Sequence, residues 1–142
     1  MRRASDAVWL SVAVDRSHAA AAAVGLVHAA ALLTYAFALG RVQLTLGGPA
    51  AVGAVAYSVA GMVLLAAVPA YLLLEHSLVL PVAVFALNLA LLVRGELAAS
   101  PDGAVAFLFV VWVVPFGLLL LAGGVEYVVR RWLGPAPAPL LG

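Results

Sequence analysis

Few side chains in this sequence can do chemistry, and the first of them is His28. It sits inside "AVGLVHAAALLTY" (residues 23–35), within an apolar run from Ala19 to Gly40. Ala21, Gly25, His28, Leu32 and Tyr35 recur at alternating steps of four and three, the spacing of one helical face. Ala21, Gly25 and Ala29 are small residues at steps of four, which let a second helix approach closely. His28 is therefore expected to face other helices rather than lipid. An imidazole N–H in hydrocarbon needs a partner, because leaving it unpaired costs a few kcal/mol. Two other features fall at a similar depth in their own apolar runs. Asn88 carries an amide. Pro115, in "VVWVVPFG", has no N–H for the Val111 carbonyl. We expect His28, Asn88 and Pro115 to form an intramembrane polar cluster, with His28 hydrogen-bonded to the Asn88 side chain or the Val111 carbonyl. Tyr35 and Tyr57 are candidate lining residues for any ligand held there.

His18 and His76 form a second constellation. They fall at matching ends of neighbouring apolar runs, and two imidazoles at one depth are the axial ligand set of a membrane haem. No propionate-binding signature accompanies them beyond Arg16, Arg130 and Arg131, so no cofactor is expected. The acidic residues suggest less. Glu126 stands four residues before Arg130, at ion-pair spacing. Asp6, Asp15, Glu75, Glu96 and Asp102 belong to interfaces or connections. No nucleophile–base–orienter set, phosphate loop or metal cluster can be assembled from these residues. With no cysteine, disulfides, thiolate metal sites and cysteine nucleophiles are excluded.

The elements that position these residues follow from composition. The chain has 142 residues, 67% hydrophobic and 9% charged. Its mean hydropathy is +1.21. Soluble domains carry about 25% charged residues, so the solvent this surface suits is a bilayer. A net charge of +1 gives no electrostatic basis for nucleic-acid binding.

A spanning helix needs about 20 apolar residues at 1.5 Å each. Four runs qualify, at about 18–40, 50–74, 77–97 and 104–129, the third only if Arg94 reaches back to the interface. Strands are not expected, because the runs lack a sustained period of two. "RVQLTLGGP" (41–49), "EHS" (75–77) and "RGELAASPDG" (94–103) connect the runs, and the brevity of "EHS" calls for a tight antiparallel hairpin. Residues 1–17 read as an N-terminal membrane-surface helix with Trp9 at headgroup level. A short strand through Val8, Leu10, Val12 and Val14 is the alternative, and a signal peptide fits less well because Asp15-Arg16 follows the short apolar stretch. Residues 18–133 form the transmembrane domain. Residues 134–142, "GPAPAPLLG", form a Pro/Ala-rich tail.

The expected fold is thus all-α, a four-helix transmembrane bundle with an N-terminal interfacial segment. With both termini inside, Arg2, Arg3, Arg16, Arg130 and Arg131 face the cytoplasm and only Arg41 and Arg94 face out. The expected location is the cell membrane. The expected function is non-enzymatic: a structural or accessory subunit that meets the lipid bilayer and packs on another membrane protein or on itself. Two other readings stand beside it. One is a small-solute or proton transporter or channel using His28 and Asn88. The other is a haem-binding electron carrier using His18 and His76.

Overall fold

The computed structural model describes residues 3–38, 48–98, 108 and 110–134, with residues 3–15 given by backbone alone. Among the described residues the fold is all-α, with four long helices: α1 Arg3–Ala38, α2 Pro49–His76, α3 Leu80–Leu97 and α4 Val113–Leu133. Each is long and apolar enough to cross a membrane, α1 over Arg16–Ala38. Hydrocarbon offers backbone groups no water, so helices that bond internally are the form such runs take.

Proline and glycine set the boundaries. Pro49 opens α2 and Pro81 stands in the first turn of α3, positions where a missing N–H costs nothing. Gly48, just before α2, takes φ +76°, which suits glycine. At the other end of α2, Ser77 adopts the left-handed conformation (φ 54°, ψ 27°). The N–H groups of Ser77 and Leu78 then turn back to the carbonyls of Leu73 (2.9 Å) and Leu72 (3.1 Å). The hairpin turn is therefore Ser77–Val79, and α3 starts at Leu80 rather than at 77. Pro69 lies inside α2, buried, and the helix continues through it.

The helix α2 is central. On one side it packs along α1, whose buried face is Ser17, Ala21, Gly25, Ala29, Leu32 and Ala36. Gly25 is what permits the approach. A Cβ there would lie 2.6 Å from the Val63 carbonyl oxygen and 2.9 Å from the Ala67 Cβ. Met62, Ala29 and Leu32 form the core of this contact. On its other side α2 meets α3 and α4. There the Trp112 ring lies directly over Gly61, occupying the space a Cβ would need. Halfway along α4, Gly123 comes close to Pro81 and Leu72. These contacts put α1 parallel to α3 and α2 parallel to α4. One end of the bundle thus collects the start of the α1 span, the α2–α3 turn and the end of α4.

Three expectations change in detail. Residues 3–17 are helical and continuous with the first span, with no break at 17/18, and residues 8–14 are not a strand. In the fourth apolar run, residues 108, 110 and 111 are helical. A turn falls at Trp112, and α4 begins at Val113. The reason is Pro115, which now stands in the first turn of α4, where its missing N–H is tolerated. The spacing of Ala50, Ala54, Ser58 and Gly61 predicts one small packing face on helix two, but only Ser58 and Gly61 are buried and Ala50 and Ala54 are exposed, so that face packs over half its expected length. The connections 41–47 and 99–103, the Trp9 side chain and the tail from 135 onward lie outside the described residues.

Candidate functional site

His28, Asn88 and Pro115 line one cavity of about 300 Å³ near the middle of the bundle, together with Val111. Each arrives by a different route. His28 stands one step from the buried seam of α1, beside Ala29, and is half-buried. Asn88 comes from the middle of α3. Val111 and Pro115 flank the break at Trp112. Apart from His28 and Asn88, every side chain on the wall is apolar: Leu, Val, Phe and Pro. Leu91, Val114 and Leu118, also on the wall, are more than half exposed on the bundle's outer surface. In a bilayer the cavity therefore opens toward lipid.

The expected hydrogen bond across the cluster is not made. The His28 ring packs edge-on against Phe85, with centroids 5.2 Å apart and planes at 73°. The Asn88 Nδ2 donates to the Val84 carbonyl at 3.0 Å, one turn back on its own helix. The reason is local. Asn88 finds an acceptor within its own helix, and Phe85, on the same turn of α3, fills the approach to the imidazole. Among the described residues, neither ring nitrogen of His28 is hydrogen-bonded. The Asn88 Oδ1 likewise has no donor. Two polar side chains thus face a common apolar hollow with hydrogen-bonding capacity unspent.

The two tyrosines lie elsewhere. Tyr35 donates to Glu96 Oε2 at 3.2 Å, tying the end of α1 to the end of α3. Tyr57 donates to the Val110 carbonyl at 3.3 Å and its ring lies 5.1 Å from that of Trp112. Neither lines the cavity.

His18 and His76 do reach the same end of the bundle, but they do not face each other across open space. The Tyr71 ring packs against both, 4.9 Å from His18 and 5.9 Å from His76. A macrocycle set against either imidazole would have to share space with the Tyr71 ring.

Sequence reasoning missed what Glu126 does. Its carboxylate accepts from the backbone N–H groups of Val79 (3.1 Å) and Leu80 (2.6 Å), where α3 begins. It also takes the expected bond from Arg130 at 2.5 Å. A carboxylate from α4 thus caps α3, whose own N-cap residue, Val79, supplies no side-chain bond. The only signal for this in the sequence was an acidic residue late in an apolar run.

No family model, curated protein or solved structure matches the chain.

Proposed function

We propose that this chain is a non-enzymatic multi-pass membrane protein that holds a small uncharged lipophile in its midplane cavity. The observation that carries the reading is the convergence of His28 and Asn88, with unspent hydrogen-bonding capacity, on one apolar-walled hollow. The Val111 carbonyl, which Pro115 cannot bond, stands beside them. A pocket with a few polar groups on an apolar wall is the usual form of a small-molecule site. An unanswered polar group in hydrocarbon is costly, so a ligand with a hydroxyl or carbonyl head gains by meeting it. The apolar wall suits an uncharged molecule far better than an ion, because desolvating a charge there would cost several kcal/mol. Ion or proton transport through His28 and Asn88 is accordingly the less supported form of the same idea.

The test is extraction. The chain is purified in mild detergent, and the bound lipophiles are identified by mass spectrometry. A stoichiometric lipophile retained by the native protein and lost from the His28→Leu/Asn88→Leu double variant supports the reading. The same lipid profile in both would overturn it.

The accessory-subunit reading keeps one observation of its own. The outer face of α4 carries a shallow apolar groove lined by Gly117, Leu121, Gly124 and Val128. A Cβ on Gly117 or Gly124 would meet nothing within 4 Å. Such a face gives another membrane protein, or a second copy of this chain, room for close helix packing. The arginine distribution supports a cell-membrane orientation with both termini cytoplasmic.

A further inference from the structure

A second hollow lies at the end of the bundle that holds the α2–α3 turn. It has a volume of about 290 Å³ and is lined by Glu75, His76, Tyr127, Arg130 and Arg131, with Leu78 at its base. It does not stop there. A cleft of about 260 Å³ shares His76, Leu78 and Tyr127 with it and continues past Leu72, Leu120, Gly123 and Gly124. Leu120 lies seven residues before Tyr127 on α4, which is about 10 Å along a helix. The joined hollow therefore has a polar mouth at the helix ends and an apolar extension toward the bilayer centre. That is the polarity of a bilayer lipid standing alongside the helices. A free anion would use the mouth alone.

The charges at the mouth narrow the headgroup. Arg130 is committed to Glu126 at 2.5 Å. Arg131 makes no ion pair among the described residues, and neither does Glu75. One cation and one carboxylate thus remain. A headgroup that is only anionic would leave Glu75 facing like charge. A headgroup with both a phosphate and a primary ammonium answers both. Tyr127 and His76 add hydrogen-bonding groups at the same mouth. Basic pockets at helix ends are a recurrent form of phospholipid headgroup site, and the carboxylate is what sets this one apart.

We propose that this hollow binds a phospholipid with a phosphoethanolamine-type headgroup. Its phosphate lies at Arg131 with Tyr127 and His76, its ammonium lies at Glu75, and an acyl chain runs in the cleft beside Gly124. The site is separate from the midplane cavity and does not depend on it.

Native mass spectrometry of the full chain in detergent, with equal amounts of phosphatidylethanolamine and phosphatidylglycerol added, tests the proposal. Phosphatidylethanolamine should be retained at least about fivefold more. Glu75→Gln should reverse that preference, and Arg131→Gln should weaken both lipids. Both side chains lie at the mouth rather than in the core, and unchanged helical circular dichroism serves as the folding control. Gly124→Phe provides an independent arm. Nothing lies within 4 Å of a Cβ there, so a side chain can start from Gly124 into open space beside the cleft. It should reduce lipid retention while leaving helicity unchanged. Equal retention of the two lipids, a preference that Glu75→Gln leaves intact, or competition by inorganic phosphate or chain-free glycerophosphoethanolamine as effective as by the lipid would each overturn the proposal.

Discussion

The Glu126 carboxylate on α4 accepts a 2.6 Å hydrogen bond from the backbone N–H of Leu80, the first residue of α3. The Glu126 side chain is 14% exposed, while Val79 and Leu80, whose N–H groups it accepts, are exposed residues. It closes the α2–α3 turn against the last turns of α4. Hydrogen bonds to a charged group contribute about 1.5–3 kcal/mol, while an i,i+4 helix ion pair gives about 0.3–0.5 kcal/mol. The cap, rather than the Arg130 pair, should therefore dominate. Glu126→Ala is expected to destabilise the protein by roughly 2 kcal/mol. Arg130→Gln should cost well under half of that. Thermal unfolding in detergent of the two single variants decides the matter. Equal losses would show that the ion pair carries the contribution.

Gly25 and Gly117 should respond in opposite ways to the same substitution. Replacing helical glycine by alanine gains about 1 kcal/mol of helix propensity where space allows. At Gly117 and Gly124 the space is open, so Gly117→Ala and Gly124→Ala should be neutral or mildly stabilising. At Gly25 the new methyl would lie 2.6 Å from a backbone oxygen that cannot step aside as a side chain does. Gly25→Ala should cost about 1–3 kcal/mol, because overpacking outweighs the propensity gain. Melting temperatures of the three variants check this, and a Gly25→Ala protein as stable as the parent would contradict the close approach of α1 and α2.

His28→Leu separates the account from an ordinary interhelical hydrogen bond. Such a bond is worth about 0.6–2 kcal/mol in a membrane, and losing it would lower stability by that amount. Because the ring makes no hydrogen bond among the described residues and packs edge-on against Phe85, the ligand-free His28→Leu protein should be as stable as the parent or more so. Its loss should be in binding, consistent with a functional residue held at some cost to the fold. A marked drop in the melting temperature of ligand-free protein would restore the structural explanation.

Orientation has its own check. Single cysteines at Gly47 and Ser100 should label with an impermeant reagent on intact cells, and cysteines at Ser5 and Pro137 should label only after lysis. The reverse pattern would overturn the cytoplasmic placement of both termini.

The four spans were legible because their signal is local: uninterrupted apolar runs with proline and glycine between them. The small seam Ala21, Gly25 and Ala29 was legible for the same reason, since helical periodicity fixes which residues share a face. The co-location of His28, Asn88 and Pro115 followed from depth alone, because an up-down bundle brings equal depths together. What each side chain then bonds was not legible. Asn88 turns to Val84 and Phe85 occupies the imidazole's approach, and both depend on the rotation of α3 about its axis, which its apolar sequence leaves open. Trp112 over Gly61 and Glu126 at the start of α3 are contacts between distant segments, and no spacing announces them. Pro115 was placed near the middle of the fourth run, but α4 begins at Val113, so the proline stands in its first turn.

The claim that the midplane cavity is a binding site is tested most directly by photolabelling the full chain in detergent with a long-chain alcohol carrying a diazirine. Labelling should be saturable and competed by the untagged alcohol. It should concentrate on peptides containing Phe85, Leu92 and Val111, three of the cavity-lining residues. Replacing His28 and Asn88 by leucine should weaken it about tenfold, the equivalent of about 1.4 kcal/mol. Labelling spread without saturation over the lipid-facing surfaces of α3 and α4, and indifferent to His28 and Asn88, would contradict the account.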